Sequence, residues 1–264
     1  MFKKVIQHLL MGRLVFHPLW ERLNSLSLLG MNIGCGDDVN NSGELWVIDH
    51  FSKRLPDNRP IIVFDVGANI GRYASAVISR LGDKAKLYCF EPSKSAFQVL
   101  ASNLSKHENA ELFNFGFGDK KDCVILYSNT EGSGLSSVYK RRLKHHGISM
   151  RHTEEVTLKK LDDFCDDKGI EYINLLKLDV EGHEFRVLKG AENLVSSNSI
   201  GLIQFEFGGC NIDSRTYFQD FFYLLNPCYK IYRILKDGIT PIDDYKETYE
   251  VFTTTNYLAV SRKV

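Results

Sequence analysis

The chain has 264 residues, and its 33 Lys plus Arg balance its 33 Asp plus Glu, so the formal net charge is zero. Hydrophobic residues make up 44% of the chain and charged residues 25%, as in an ordinary globular protein. The zero net charge excludes an overall electrostatic attraction to nucleic acid or to an anionic membrane. The length fits one α/β domain with an N-terminal extension better than two full domains.

We predict that residues 1–58 form an extension of helices and loops and that residues 59–264 form the main domain. Apolar residues recur at helical spacing from Trp20 to Leu29, and a second helix is predicted from Gly43 to Phe51. The extension could cover an acceptor site or form a dimer contact. The sequence does not define the oligomeric state.

The N-terminus and the cysteines indicate a cytoplasmic protein without a targeting segment. Lys3 and Lys4 precede apolar residues, as in a signal peptide, but polar residues interrupt the run and no cleavage site follows. No stretch is long enough to span a bilayer, and an amphipathic helix that packs on the domain is favoured over one on a membrane surface. The six cysteines show no C-x-x-C pair and no metal-ligand spacing, which indicates unpaired thiols.

From Ile61 onward, short apolar runs alternate with segments of helical spacing. This alternation predicts an α/β fold with βαβ units, a mostly parallel sheet and helices on both faces. The last two strands have no helix between them, which predicts an antiparallel pair at one edge. The predicted strands cover residues 61–66, 87–91, 111–117, 123–128, 173–180, 201–207, 229–235 and 256–262. The predicted helices cover residues 72–81, 93–104, 161–167, 184–194 and 217–225.

A turn with the sequence DVGANIG connects the first predicted strand to the next helix. Small residues allow the backbone to approach a ligand closely, and the helix N-terminus offers free N–H groups. The spacing is G-x-x-x-G, which lacks the middle glycine of the pyrophosphate-binding pattern G-x-G-x-x-G. The turn therefore indicates a nucleoside cofactor without a pyrophosphate, such as S-adenosylmethionine. The candidate cofactor-binding residues here are Asp65, Gly67, Ala68, Asn69, Gly71 and Tyr73.

Two further acidic residues are candidates for cofactor binding. Glu91 ends the second strand, at the position where an acidic side chain can accept hydrogen bonds from both ribose hydroxyls of an adenosine. Asp119 or the neighbouring backbone, in the sequence GFGD after the third strand, is a candidate for binding the adenine amino group. An aspartate at this position also suits an ordinary turn.

The motif LLKLDVEGHE contains a further group of charged residues. Lys177, Asp179 and Glu181 alternate with apolar residues, so they lie on one face of a strand and its C-terminal exit. Ligands of open α/β sheets bind at that end of the strands. A lysine in a buried strand needs an anionic partner, for which Asp179 and Glu181 are the candidates. Glu206 ends the next strand at the same edge.

In this order, the motifs DVGANIG, FEP, VTLKKLDDF, LLKLDVEGHEFRVLKGA and QFEF resemble the FkbM-type family of S-adenosylmethionine-dependent methyltransferases. The resemblance implies the Rossmann-like class I methyltransferase fold, with a seven-stranded sheet that has one antiparallel strand, here expected at the edge. It implies O-methylation of sugars, glycans or secondary metabolites. It also implies that the glycine turn binds the cofactor, that Glu91 binds its ribose, and that Asp179 lies near the transferred methyl group.

A hydroxyl acceptor must lose its proton as it attacks the methyl group, which requires a base. We hypothesise that Asp179, Glu181 or His183 is this base and that Lys177 fixes the carboxylates. In a competing version, Asp179 and Glu206 hold a Mg²⁺ ion that lowers the pKa of the acceptor hydroxyl.

Residues 132–153 are predicted to form a long loop with a basic segment that contains Lys140, Arg141, Arg142 and Lys144. If this loop covers the acceptor, the four basic residues favour an anionic acceptor, such as a phosphorylated or nucleotide-linked sugar. A solvated run of charge is the alternative interpretation.

Two other enzyme classes share features of this sequence. A nicotinamide-dependent oxidoreductase also uses βαβ units, but the missing middle glycine argues against it. A nucleic-acid methyltransferase uses the same cofactor domain, but the chain has no basic excess. The expected partner is therefore a small-molecule or glycan acceptor and not a nucleic acid.

Overall fold

The computed structural model describes residues 10–36, 39, 41–52 and 60–263. Its strands are β1 (Ile61–Val66), β2 (Ala85–Phe90), β3 (Ala110–Phe113), β4 (Gly116–Phe117), β5 (Asp122–Ser128), β6 (His152–Lys159), β7 (Ile173–Leu178), β8 (Ile200–Phe207), β9 (Tyr229–Leu235), β10 (Gly238–Ile242) and β11 (Thr255–Ser261). Its helices are α1 (His17–Gly30), α2 (Glu44–Ser52), α3 (Arg72–Leu81), α4 (Lys94–Leu104), α5 (Leu161–Lys168), α6 (Glu184–Lys189), α7 (Glu192–Ser196), α8 (Cys210–Ser214) and α9 (Phe218–Leu225).

Eight strands form the main sheet in the order β10-β9-β11-β8-β7-β1-β2-β3. The run from β8 to β3 is parallel throughout, which confirms the predicted Rossmann-like, mostly parallel sheet. The position of the antiparallel strand differs from the prediction. β11 lies inside the sheet, between β8 and β9, and is antiparallel to both. A two-residue connection after β9 adds β10 as a further antiparallel strand at the edge, so the sheet has eight strands rather than seven.

Alternating residues of the central strands face two separate cores. Phe64 and Leu176 pack in the core covered by α5, α6, α7 and α9. Val63 and Leu175 pack in the core on the opposite face, covered by α2, α3 and α4. This burial on both faces explains why the central strands are nearly continuous apolar runs, and it confirms the helices predicted on both faces.

The strands β4, β6 and β5 form a second sheet of three strands. The predicted third strand, residues 111–117, is divided between the two sheets as β3 and β4. The predicted strand 123–128 corresponds to β5, which pairs antiparallel with β6. β6 was not predicted, because Val156 and Leu158 are its only buried residues and its other positions are polar.

The predicted helix over residues 184–194 consists of two short helices, α6 and α7, which are separated at Gly190. The backbone of Gly118 approaches this point so closely that a Cβ on Gly190 would lie 2.0 Å from the Gly118 carbonyl oxygen. A glycine at this position allows the close approach and interrupts the helix.

The extension contains both of the helices predicted between residues 20 and 51, as α1 and α2. α1 has no buried residue, whereas α2 packs Val47 and Ile48 into the core next to α3. Asn32 fixes the segment before α2, because its Nδ2 donates to the carbonyl oxygens of Ser42 at 2.9 Å and Ile234 at 3.1 Å. Most of the amphipathic helix predicted at the N-terminus lies outside the described residues. Within the described ranges, no helix is both long and apolar enough to cross a membrane.

Candidate functional site

A cavity of about 950 Å³ lies at the carboxyl ends of β1, β2, β7 and β8. This is the position where ligands bind in open α/β sheets. The cavity brings together all but one of the predicted site residues, and those it brings together come from four separate stretches of the chain. The predicted residues that line it are Asp65, Gly67, Ala68, Asn69, Gly71, Tyr73, Glu91, Lys177, Asp179, Glu181, His183 and Glu206.

The glycine turn after β1 is packed directly against the segment after β7. Gly67 has a φ of +87°, and a Cβ at this residue would lie 1.8 Å from the carbonyl oxygen of Asp179. Only a glycine allows both the backbone conformation and this approach. The N–H groups of Gly67 and Ala68 donate to the Phe90 carbonyl oxygen at 2.9 and 3.0 Å, and that of Asn69 donates to Glu91 at 2.9 Å. The turn is therefore held by internal bonds, and these three N–H groups, which precede the start of α3, are not free.

Glu91 is buried at the carboxyl end of β2 and connects the glycine turn to the start of α4. Its Oε2 accepts from the Asn69 N–H at 2.9 Å, and its Oε1 accepts from the Ser93 N–H at 2.8 Å. Burial raises the pKa of Glu91 to about 7, against the opposite effect of these two hydrogen bonds. Each carboxyl oxygen has a second lone pair, so Glu91 can still accept hydrogen bonds from a ligand in the cavity.

A row of three polar residues crosses the central strands below the cavity. Asp65 on β1, Lys177 on β7 and Gln204 on β8 are register partners, so their side chains lie side by side on one face of the sheet. All three residues are buried. Asp65 Oδ2 has no hydrogen-bond partner among the residues that the structure describes. Burial raises the pKa of Asp65 to about 7, against the opposite effect of the Lys177 charge.

Lys177 lies between two carboxylates. Its Nζ donates to Asp179 Oδ2 at 3.0 Å, as predicted from the sequence, and to Glu44 Oε1 at 3.0 Å. The ring of Tyr73 lies beneath the ammonium group, with its centroid 5.3 Å away. Burial lowers the pKa of Lys177, but the negative charges of Asp179, Glu44 and Asp65 outweigh this effect and raise the pKa well above its ordinary value.

Glu44 is the site residue that the sequence analysis missed. It is the first residue of α2, where an acidic residue is common because it interacts favourably with the helix dipole. In the sequence it therefore resembles an ordinary helix start. In the structure its side chain is buried against the central strands and also lines the cavity.

Glu181 and His183 contact the long loop that follows β5. Arg141 pairs with Glu181 through Nη1, and Ser137 Oγ donates to the Glu181 carbonyl oxygen at 2.7 Å. The Tyr139 hydroxyl lies 3.0 Å from His183 Nδ1. Three alternate residues of the loop thus hold the segment after β7.

Glu181 and His183 are each less suited than Asp179 to act as the base, because Arg141 already occupies a carboxyl oxygen of Glu181 and the pKa of His183 is low. Burial raises the pKa of Glu181 to about 8, against the opposite effect of Arg141. Burial lowers the pKa of His183 to about 4, so its imidazole is neutral but binds a proton weakly. Asp179 is the remaining predicted base.

Glu206 lies near the end of β8 and lines the cavity beside Asp179. Burial and the neighbouring carboxylates raise the pKa of Glu206 well above its ordinary value. Within the described part of the chain, no group of three or more His, Cys, Asp or Glu side chains is arranged to hold a metal ion. Asp179 and Glu206 are thus the two ligands that a metal would have, and Lys177 already occupies one oxygen of Asp179.

Asp119 is the predicted residue that does not line the cavity. Its carboxylate pairs with Arg186 Nη1 at 2.8 Å on the protein surface. The basic loop is also divided: Arg141 points inward and lines the cavity, whereas Lys140, Arg142 and Lys144 are exposed. The geometry therefore does not support adenine binding by the Asp119 side chain, and it leaves one of the four basic residues next to the cavity.

Comparison with known families gives one match over most of the chain. The sequence profile of the methyltransferase FkbM domain matches residues 65–232. This range contains every predicted site residue, including those of the glycine turn, Glu91 and the segment after β7. Glu44 lies outside it.

Curated relatives match about half of the chain. The 2-O-methyltransferase NoeI of Sinorhizobium fredii is 27% identical over 144 residues, which cover 51% of this chain and 59% of that protein. The methyltransferase sdnD of Sordaria araneosa is 33% identical over 164 residues, which cover 52% and 62%. The hexuronic acid methyltransferase AglP of Haloferax volcanii is 27% identical over 150 residues, which cover 56% of each. The chain therefore spans less than two thirds of the length of each of these relatives.

Proposed function

We propose, because the chain belongs to the methyltransferase FkbM domain family, that it transfers the methyl group of S-adenosylmethionine to a hydroxyl group of a sugar, glycan or secondary metabolite. The observation that carries the proposal is that the glycine turn and Glu91 lie next to Asp179 in one cavity. The candidate cofactor-binding residues and a candidate base thus face the same space. Methyl transfer requires this arrangement, because the methyl donor and the acceptor must be aligned in one site.

The residues of the cavity fit S-adenosylmethionine by their chemistry. The cofactor supplies a methyl group made electrophilic by a positively charged sulfonium, and it also carries an ammonium group and two ribose hydroxyls. The buried, unpartnered Oδ2 of Asp65 is an acceptor that suits a cationic donor. Glu91 has lone pairs for the ribose hydroxyls. The narrow glycine turn has no pyrophosphate pattern, which matches a cofactor without phosphate groups.

In the proposed mechanism, Asp179 accepts the proton that the acceptor hydroxyl loses on methylation, and its carboxylate then holds that proton. The cofactor, when bound, would supply the electrophilic methyl group and would leave as the neutral thioether. Lys177 holds Oδ2 of Asp179 and thereby directs the other carboxyl oxygen. A base in this position typically contributes about 10²- to 10⁴-fold to the rate.

The acceptor class rests on the relatives whose names describe it. NoeI is named a 2-O-methyltransferase and AglP a hexuronic acid methyltransferase. Arg141 is the only one of the four basic loop residues that lines the cavity among the described residues, so it is the candidate contact for an acidic acceptor. The cytoplasmic location stays a prediction that rests on the six cysteines, all of them unpaired thiols in the structure.

The test is a methylation assay with S-adenosylmethionine that carries ¹³C in its methyl group. Neutral sugars, uronic acids, nucleotide-linked sugars, hydroxylated secondary metabolites and a single-stranded RNA serve as separate acceptors. We expect the ¹³C NMR spectrum to show a methyl ether on a hydroxylated small molecule or glycan. Label on RNA, or no transfer to any hydroxyl acceptor by protein that binds the cofactor, would contradict the proposal.

The same assay decides whether a metal takes part. We propose the metal-free version, because Lys177 already occupies Oδ2 of Asp179. A metal ion held by Asp179 and Glu206 would have to compete with this ammonium group. We expect the rate to be unchanged after exhaustive treatment with EDTA. A loss of activity that added Mg²⁺ restores would favour the metal version instead.

A further inference from the structure

We propose that Glu44, which lies outside the matched family domain, is a positioning residue for the base Asp179 and acts through Lys177. This inference rests on the proposed methyl transfer. It adds to the site a residue from the extension, which the profile match over residues 65–232 does not include. It also gives the extension a specific role in the chemistry of the site.

The first support is the continuous chain of hydrogen bonds between the two carboxylates. Glu44 Oε1 accepts from Lys177 Nζ at 3.0 Å, and the same Nζ donates to Asp179 Oδ2 at 3.0 Å. The ammonium group has three protons, and these two bonds fix its direction. The third side of the ammonium group faces the ring of Tyr73. If Glu44 is removed, one of the two anionic contacts that direct Lys177 toward Asp179 is lost.

The second support is the way in which Glu44 itself is fixed. Gln204 Nε2 donates to Glu44 Oε1 at 2.6 Å, and Ser42 Oγ donates to Glu44 Oε2 at 2.9 Å. Both partners are fully buried. Every carboxyl oxygen of Glu44 therefore has a partner, and the side chain cannot rotate without breaking one of these bonds.

The backbone of the extension is held against β9 next to Glu44. Gly43 has a φ of +92°, and a Cβ there would lie 2.0 Å from the carbonyl oxygen of Leu235 at the end of β9. The two hydrogen bonds of Asn32 join the same segment to β9. The start of α2 thus has one position relative to the main sheet, and this position sets the Lys177 ammonium group.

The stability of the fold does not explain this cluster. Replacing a buried ion pair by apolar residues of similar volume is often neutral or stabilising, because taking the charges out of water is costly. An acidic residue at a helix start interacts favourably with the helix dipole even when it is exposed and has no buried lysine beside it. Glu44 is instead 5% exposed and lines the cavity together with Lys177 and Asp179. Its placement fits a role in the site.

The test compares Glu44→Gln with Glu192→Gln. Both variants replace a carboxylate by an amide of the same shape, and Glu192 is an exposed residue paired with Lys189 on the surface. The first readout does not need turnover: it is the ¹⁵N–¹H NMR signal of the Lys177 ammonium group, assigned by its loss in Lys177→Met. We expect Glu44→Gln to shift this signal and to speed its proton exchange at least tenfold, while Glu192→Gln leaves it unchanged.

The second readout separates catalysis from binding. We expect Glu44→Gln to lower kcat by about 10- to 100-fold, the range that a small misplacement of a catalytic group causes. The affinity for S-adenosylhomocysteine should stay within twofold of the unmodified protein. In the Asp179→Asn background, Glu44→Gln should cause no further loss of kcat, because two residues that act as one unit have non-additive effects.

The outcomes distinguish this inference from the proposed function. An unmodified protein that transfers no methyl group would refute the function, and the Lys177 signal would still show whether Glu44 holds the ammonium group. An unchanged Lys177 signal, an unchanged kcat, or equal losses of kcat in both backgrounds would overturn the inference. If Glu44→Gln does not fold, Ser42→Ala takes its place, since it removes the bond to Oε2, together with the longer bonds of Ser42 Oγ to the Glu44 N–H and the Val39 carbonyl oxygen, and keeps the carboxylate. It should shift the same signal in the same direction by a smaller amount, and no shift would overturn the inference.

Discussion

We expect Asp179→Asn to lower kcat by about 10²- to 10⁴-fold, the contribution of a well-placed base. The amide has the shape of the carboxylate, and its oxygen can still accept a hydrogen bond from Lys177, but it cannot take up the proton of the acceptor. The affinity for S-adenosylmethionine should remain within about twofold, because the cofactor contacts that we propose lie on the glycine turn and Glu91. Steady-state kinetics and calorimetric titration of the same preparation measure both quantities.

A matched control makes this result specific. Asp163→Asn is the same chemical change at an exposed aspartate on α5, which pairs loosely with Lys160 and does not line the cavity. We expect full activity from this variant. If Asp179→Asn keeps more than a tenth of the kcat of the unmodified protein, the base is another residue. Glu181→Gln and His183→Gln would then be compared in the same assay.

The second large effect concerns the stability of the glycine turn. We expect Gly67→Ala to lower the free energy of unfolding by more than about 4 kcal/mol, a value that only a severe local conflict produces. The left-handed backbone alone costs about 1–2 kcal/mol for a residue with a Cβ. The remainder arises because the new Cβ would lie 1.8 Å from the Asp179 carbonyl oxygen, so the turn and the segment after β7 must move apart. Urea unfolding, followed by circular dichroism, measures this quantity.

Gly169→Ala separates the two contributions. Gly169 also has a left-handed backbone, with a φ of +66°, but no atom lies within 4 Å of a Cβ at this position. We expect this variant to lose only about 1–2 kcal/mol. Equal losses of stability in the two variants would mean that the contact between Gly67 and Asp179 is not tight. Any folded Gly67→Ala should also bind the cofactor more weakly, since the turn and Asp179 lie in the same cavity.

The sequence predicted three parts of the site, and each part consists of neighbouring residues at the end of one strand. The glycine turn, Glu91 and the Lys177–Asp179 pair each follow a buried apolar strand, and parallel strands bring their carboxyl ends to one edge of a sheet. Their shared cavity therefore follows from the order of strands and helices. The ion pair of Lys177 and Asp179 follows from the cost of leaving a buried charge without a partner.

Contacts between distant segments could not be predicted from a single sequence. Glu44 lies 160 residues before Gln204 and looks like an ordinary first residue of a helix. Arg141 is one of four similar basic residues, and only the path of the loop separates it from its exposed neighbours. The Asp119 side chain pairs with Arg186 on α6, and no local pattern indicates this pair.

For the fold too, the elements with a local sequence signal were predicted, and the arrangements that depend on distant segments were not. The alternation of strands and helices predicted the parallel part of the sheet. The position of β11 depends on whether the final strand inserts between β8 and β9 or adds at the edge of the sheet, and the sequence contains no local signal for this choice. The Asp237–Gly238 dipeptide, which is common in hairpin turns, could have indicated a hairpin here, although the turn itself consists of Lys236 and Asp237 and Gly238 begins β10. β6 lacks an apolar alternation over most of its length, because only two of its residues are buried.

The most direct test of the central claim is calorimetric titration of the protein with S-adenosylmethionine, S-adenosylhomocysteine and NAD, with Glu91→Ala as the variant. We expect both adenosyl ligands to bind and NAD not to bind. Glu91→Ala should weaken the binding of both adenosyl ligands at least about tenfold, or about 1.4 kcal/mol. Failure of both adenosyl ligands to bind, or preferential binding of NAD, would contradict the assignment of the cavity as a methyl-donor site.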